Sequence, residues 1–461
     1  MSEDIFQGYK GRAREILQKY NVRVWGEAVI QTTRGEFKGR ILPRAENTDD
    51  IHLVVKVATG YNIGVDINTI TDIQEVGYNV AKYAIPEKQF PYTQGLPHVK
   101  LLGTGGTIAS RLDYRTGAVI PAFSPGELYG AVPELAEICN LDTEKIFAVF
   151  SENMGPKQYI ELSKQIGKEI EKGIDGIVIG HGTDTLHHTG AALTFMCQNL
   201  PIPVILVGSQ RSSDRPSSDA ALNLMHAMTA AGHGNIAEVM VCMFGPTSDE
   251  YGLLHRGTRV RKMHSSYRST FRTIGDVPVA RITRQGLTPI KDNWKPRRQD
   301  RNVNIIPTFD DRVSMLYYYP GMKPDTLDSL TDNGYKGVIW VGTGLGHVNK
   351  EMYPAIERAT KAGVHQYMTV QTIWGYVHMF VYDTGRDMMA KGIIPAGNML
   401  PEVAFIKLGW ALGQTHDREE VKKLMLTPIN DEITEREPYN GYLVYQGGSP
   451  EVEDFVKKVR K

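Results

Sequence analysis

Two short apolar runs, each ending in a threonine-bearing turn rich in glycine, limit what this chain can fold into more than any other feature. The largely apolar run 99–102 leads into Gly103-Thr104-Gly105-Gly106-Thr107-Ile108-Ala109-Ser110, and the run 176–180 leads into His181-Gly182-Thr183-Asp184-Thr185-Leu186. Short apolar runs closed by turn residues read as buried strands. The glycines accept the φ angles that a sharp turn needs. Each strand therefore delivers hydroxyls where it ends, and after the second a helix opens near Leu186 and runs on through Phe195. Two such strands in one parallel sheet would place both turns at one crevice. Read singly, each motif is also an ordinary strand-to-helix turn with a threonine cap.

Around these turns, between residues 99 and 288, strands alternate with helices: strands at 146–150, 204–207 and 239–244, helices at 156–172, 186–198 and 220–231. Such alternation predicts parallel strands with crossover helices. A polar stretch, 291–302, interrupts it with Pro296-Arg297-Arg298. A second α/β unit then follows, with strands at 313–318, 337–341 and 368–372 and helices at 325–333, 350–362 and 401–412. Pro401 suits the first position of its helix, where no N–H is needed. Within this unit Gly342-Thr343-Gly344-Leu345-Gly346-His347 lacks the full dinucleotide fingerprint, so it reads as a tight strand-end turn. The end, 449–461, reads as a charged amphipathic helix.

Upstream the texture differs. Ile5, Tyr9, Ala13, Ile16 and Leu17 keep a helical spacing, and then short alternating runs at 22–24, 28–30, 37–41, 51–57, 61–65 and 73–76 predict a small β-barrel. Trp25, Lys56 and Tyr61 are candidate contacts of a docking or RNA-touching surface, against the alternative that the aromatics fill the barrel's own core. Pro86, Pro91 and Pro97 mark an extended linker. The expected organisation is a barrel domain with an N-terminal helix (1–84), a linker (85–97), two α/β domains (98–290 and 312–445) joined by a connector (291–311), and a charged C-terminal helix (446–461).

With 461 residues, 41% of them hydrophobic, the chain can bury several cores. Its 52 basic and 52 acidic residues leave no global pull towards nucleic acid or a membrane. Cys139, Cys197 and Cys242 are odd in number, sit in apolar surroundings and lack C-x-x-C spacing, so they read as reduced core residues. His181, His187 and His188 do not make a metal site, because adjacent histidines on a helix point about 100° apart and no spaced carboxylate completes a set. The acidic start has no apolar signal region, and no stretch approaches the ~20 residues of a membrane span, so a cytoplasmic location is expected.

Amide hydrolysis through a covalent intermediate needs a hydroxyl nucleophile, a group to take its proton, and anchors for the substrate's charged ends. The paired threonine turns resemble the signatures of the L-asparaginase/glutaminase family, over roughly residues 98–445. The resemblance extends to Tyr114 in Asp113-Tyr114-Arg115-Thr116 and to Lys262 in Arg259-Val260-Arg261-Lys262. It implies that Thr107 is the nucleophile, Tyr114 its proton acceptor or relay, and Thr183 with Asp184 and Lys262 a second, charge-linked hydroxyl. By spacing alone Lys262 reads first as part of a basic surface run with Arg256, Arg259, Arg261, Arg268 and Arg272, and the resemblance reverses that reading. In the turn after strand 146–150, the resemblance gives Ser151 the substrate α-carboxylate, while the carboxylates of Glu152 and Asp184 suit an α-ammonium group. Glu152 stands where many asparaginases have glutamine, which leaves the preferred amide open.

The added barrel and proline-rich linker make the whole chain similar to the asparaginase-like, D-type component of archaeal glutamyl-tRNA(Gln) amidotransferases. That resemblance implies release of ammonia from glutamine or asparagine and its transfer to the E-type amidotransferase partner, which converts Glu-tRNA(Gln) to Gln-tRNA(Gln). It further implies no cofactor in this chain, ATP and Mg in the partner, and a homodimer within a heterotetramer. A free cytoplasmic L-asparaginase with an accessory barrel is the alternative. A third reading, a silent RNA- or partner-binding scaffold, fits poorly with the full set Thr107, Tyr114, Thr183, Asp184 and Lys262.

Overall fold

The computed structural model describes residues 5–44, 48–59, 62–78, 92–105, 132–211, 217–439, 441–442 and 458–459, and the backbone of 110–113 and 118–121. In the N-terminal module helix α1 (Gly11–Lys19) precedes strands β1 (Gly26–Thr32), β2 (Gly35–Ile41), β3 (His52–Val57), β4 (Asn62–Asp66) and β5 (Ile70–Tyr78). The strands form an antiparallel sheet in the order β4-β3-β2-β1-β5. Alternation along each strand turns Ala28, Ile30, Leu53, Val55 and Ile73 to one core, with Ala13 and Leu17 of α1. The sequence predicts a barrel, but no β4–β5 ladder closes the sheet among the described residues. Helix α1 covers the core instead. Trp25 is buried in that core, Lys56 is half-buried on β3, and Tyr61 lies outside the described residues.

The large sheet is built from β6 (His98–Gly103), β9 (Asn140–Lys145), β10 (Gly176–Gly180), β12 (Val204–Val207), β13 (Val239–Phe244), β14 (Gly252–Arg256), β17 (Ala280–Thr283) and β18 (Gly286–Pro289). Between them lie the hairpins β7 (Ser110–Asp113)/β8 (Ala118–Pro121) and β15 (Val260–Lys262)/β16 (Phe271–Thr273), the short β11 (Cys197–Gln198), and helices α2 (Pro156–Glu171), α3 (Leu186–Met196) and α4 (Ala220–His233). The order is β18-β17-β14-β13-β12-β10-β6-β9. The five strands β9, β6, β10, β12 and β13 are parallel. Chain order reverses between β6 and β10, the topological switch point at which open α/β sheets bind ligands.

Two expectations are corrected. The sheet is mixed, because β14, β17 and β18 add antiparallel strands beyond β13. The strand expected at 146–150 is instead β9 at 140–145, whose polar sequence suits a sheet edge.

In the second unit β19 (Asn304–Ile305) pairs back to β11, and β20 (Val313–Tyr317), β21 (Gly337–Gly342), β22 (His365–Val370) and β23 (Ile394–Pro395) form a parallel sheet. Its helices are α5 (Asp325–Asp332), α6 (Tyr353–Lys361), α7 (Asp383–Ala390), α8 (Pro401–Leu412) and α9 (Arg418–Leu426). Helix α8 is buried on nearly every side, between α3 and the strands β20 and β21. One apolar core therefore runs through both units, from Leu193 and Phe195 to Ile339, Leu408 and Trp410. In the connector Arg297 donates to the carbonyls of Asp175, Ala231, Gly232 and Gly234, fastening the end of α4. All three cysteines are free and buried, and burial pushes the Cys139 thiol up to about 12. Of the expected C-terminal helix only 458–459, which are helical, fall within the described residues.

Candidate active site

The two threonine turns leave adjacent strands side by side, with Gly103 of β6 opposite Gly180 of β10. Thr104 fastens them. Its backbone N–H and its hydroxyl both donate to the Gly180 carbonyl, at 3.0 and 2.9 Å. Gly105 has φ +110°, and a Cβ there would lie 2.4 Å from the Val149 carbonyl oxygen. Only glycine lets the segment after β9 press so closely on this turn. That segment is held by backbone donors: Ile146 and Phe147 to Gly103, and Val149 to Thr104 at 3.1 Å. Here lies the reason 146–150 is apolar without being a strand: Ile146, Phe147 and Val149 pack against the core beneath the site. Thr107 and Tyr114 lie outside the described residues.

On the neighbouring strand the His181 N–H donates to Val207 at the end of β12. Its ring is buried, with Nδ1 2.6 Å from the Gly182 carbonyl and Nε2 2.8 Å from the Thr189 hydroxyl. Burial lowers its pKa to about 4, against the smaller opposing effect of the Gly182 carbonyl. The neutral ring donates from Nδ1, so Nε2 accepts from Thr189. His181 is a strut under the turn. Among the described residues no group of three or more histidines, cysteines and carboxylates is arranged to hold a metal. Gly208 leaves room for Thr183, since a Cβ there would come within 2.9 Å of the threonine methyl.

Lys262 reaches this turn from the end of β15. Its ammonium donates to the Thr183 hydroxyl at 2.9 Å and to Asp184 Oδ1 at 2.7 Å. Thr183 is only 5% exposed, whereas the Asp184 side chain is 68% exposed. Lys262 thus links a buried hydroxyl to a carboxylate open to solvent. One residue on, the Thr185 hydroxyl donates to the Ser151 carbonyl at 2.5 Å, drawing in the loop after β9. Ser151 is buried there and Glu152 is exposed. The fold so gathers Thr183, Asp184 and Lys262 at the switch point and draws Ser151 to them through Thr185, with Glu152 the next residue along.

The basic residues around Lys262 are not a solvated run. Arg256 is buried against Glu238 at 2.8 Å and also pairs with Asp431. Arg259 donates to the carbonyls of Asp431 and Asn398, and Thr258 to that of Asn430. These bonds bolt β14 and β15 to the second unit. Sequence reasoning missed Thr104, His181 and Thr185 as the fasteners of the site. Thr185 was the most accessible of them, as the second hydroxyl flanking Asp184.

Comparison with known proteins bears on all three units. Residues 98–295 match the N-terminal asparaginase domain, residues 312–425 the glutaminase/asparaginase C-terminal domain, and residues 28–76 the GatD N-terminal domain. The D-type component of glutamyl-tRNA(Gln) amidotransferase from Pyrococcus furiosus is 44% identical over 439 residues, 94% of this chain and 100% of its own length. The chain belongs to the GatD family of glutamyl-tRNA(Gln) amidotransferases. Another GatD protein, from Thermococcus kodakarensis, is 45% identical over 442 residues, covering 94% of this chain and 99% of its own.

Solved asparaginases share the fold of the core. The thermostable L-asparaginase from Thermococcus kodakarensis is 31% identical with a TM-score of 0.65, covering 73% of this chain and 99% of its own. L-asparaginase I from Vibrio cholerae is 27% identical with a TM-score of 0.64, covering 74% and 100%. What the GatD family has beyond these enzymes includes the N-terminal module with its own domain match.

Proposed function

We propose that this chain is the ammonia-releasing amidase of a tRNA-dependent amidotransferase, hydrolysing the side-chain amide of glutamine or asparagine. Its E-type partner uses the ammonia, with ATP and Mg, to convert Glu-tRNA(Gln) to Gln-tRNA(Gln). The observation that carries the reading is the Lys262 ammonium placed between the Thr183 hydroxyl and the Asp184 carboxylate. Because Lys262 donates to Thr183, the Thr183 hydroxyl directs its own proton away from Lys262.

In the first half-reaction the Thr107 oxygen attacks the amide carbon, its proton passing to Tyr114, which acts as a phenolate base. The departing nitrogen takes a proton from Thr183, which Lys262 replaces, and ammonia leaves an ester on Thr107. In the second half water attacks that ester, its proton returning through Thr183 to Lys262. Thr107 recovers its proton from Tyr114, and glutamate or aspartate is released. Ser151 holds the α-carboxylate of the substrate, and Glu152 and Asp184 its α-ammonium. A homodimer within a cytoplasmic heterotetramer, with the N-terminal module facing the partner or its tRNA, completes the proposed assembly.

Ammonia release by Lys262→Met and Thr107→Ala tests the site. A proton-relay role predicts that Lys262→Met lowers kcat by about 100-fold or more, and that Thr107→Ala abolishes turnover. Activity within twofold of the parent in Lys262→Met would remove Lys262 from the mechanism.

A further inference from the structure

Both halves of the Lys262–Thr183–Asp184 set lean on one helix of the second unit, α8. Thr183 and Asp184 stand immediately before α3, and α3 packs along α8, with the Phe195 ring 5.9 Å from Trp410. The Lys407 ammonium of α8 lies 5.6 Å over the same Phe195 ring. Lys262 ends β15, a strand of three residues paired with β16 alone among the described residues. Side chains alternate along a strand, so Arg261 points away from Lys262. Its guanidinium donates to Glu402 Oε2 at 3.1 Å. Glu402 is the second residue of α8 and only 5% exposed. Its other oxygen, Oε1, is buried with no hydrogen-bond partner among the described residues.

A carboxylate buried this way is a poor source of stability, because apolar packing at the same place would serve as well or better. It does fix a direction. Lysine is a point charge on a flexible stem, so where its ammonium ends depends on how firmly its backbone is held. We propose that the Arg261–Glu402 ion pair is a positioning device that sets the reach of Lys262 to Thr183 and Asp184, so that α8 of the second unit holds the proton relay in register. The inference rests on the proposed role of Lys262. Arg261 and Glu402 are positioning residues, acting on the amide substrate only through their neighbours.

The test measures kcat and KM for glutamine and asparagine in the full-length chain, in Glu402→Gln, in the double variant Arg261→Leu/Glu402→Leu, and in Lys262→Met. Glu402→Gln keeps the shape and removes the charge; its kcat should fall about tenfold, since small misplacements of reacting groups are costly in rate, while KM stays within about twofold. The double variant should regain the stability of the parent and keep the low kcat. A structural role alone would instead restore rate together with stability. Recovery of kcat in the double variant, or a kcat within twofold of the parent in Glu402→Gln, would overturn the proposal. If the double variant does not fold, Glu402→Gln decides. Unimpaired Lys262→Met would defeat the relay itself, whereas an impaired Lys262→Met beside an unimpaired Glu402→Gln would defeat only the brace.

Discussion

His181 sits under the Thr183 turn with both ring nitrogens engaged and no solvent contact. Its pKa is about 4 in the folded chain, against about 6.5 when unfolded. Above pH 6.5 the ring is neutral in both states, so its contribution is fully present. As pH falls towards 4 the unfolded chain binds the proton first, and stability is lost across that window. The midpoint of denaturant unfolding should therefore fall between pH 7 and pH 5 more steeply in the parent than in His181→Gln. Equal slopes would mean that His181 is not held neutral. Thr183 and Asp184 were legible in the sequence because a short apolar strand ending in glycine has few places to put them. Lys262 was not legible from spacing, since an arginine-rich run looks alike whether solvated or buried. Here Arg256 and Arg259 reach partners 175 and 139 residues away.

Among the elements, α8 was readable as a long apolar run opened by Pro401, and α2 from its amphipathic spacing. The edge strand β9 was not, since an edge tolerates Asp142, Glu144 and Lys145, and the apolar run beside it drew the reading instead. Antiparallel β14, β17 and β18 were missed because their pairing depends on returns that no local period encodes. Within α8 the Lys407 ammonium is wholly buried, donating to Glu432 at 2.5 Å and to the carbonyls of Met425 and Thr427. Removing one partner leaves a buried charge unpaired. Lys407→Met should cost about 3–5 kcal/mol in unfolding free energy, read by urea denaturation, and a loss below ~1 kcal/mol would show that the pair is relieved by rearrangement.

At the scale of the whole molecule, an asparaginase-like core carries an additional antiparallel module, covered by α1 and with no β4–β5 seam among the described residues. Five of the six runs read from the sequence for that module are strands and 22–24 is not, and closure could not be read, because whether two edge strands meet depends on sheet twist and on what else covers the core. The GatD relatives span the module and the core together. In the proposed assembly ammonia is useful only when a partner is ready to consume it. The most direct measurement is ammonia release from glutamine and asparagine by the purified chain, alone and with its candidate E-type partner, ATP, Mg and Glu-tRNA(Gln). Slow release that rises strongly with partner and tRNA, accompanied by formation of Gln-tRNA(Gln), is the predicted result. Fast release by the isolated chain, indifferent to both additions, would contradict it and mark a free asparaginase.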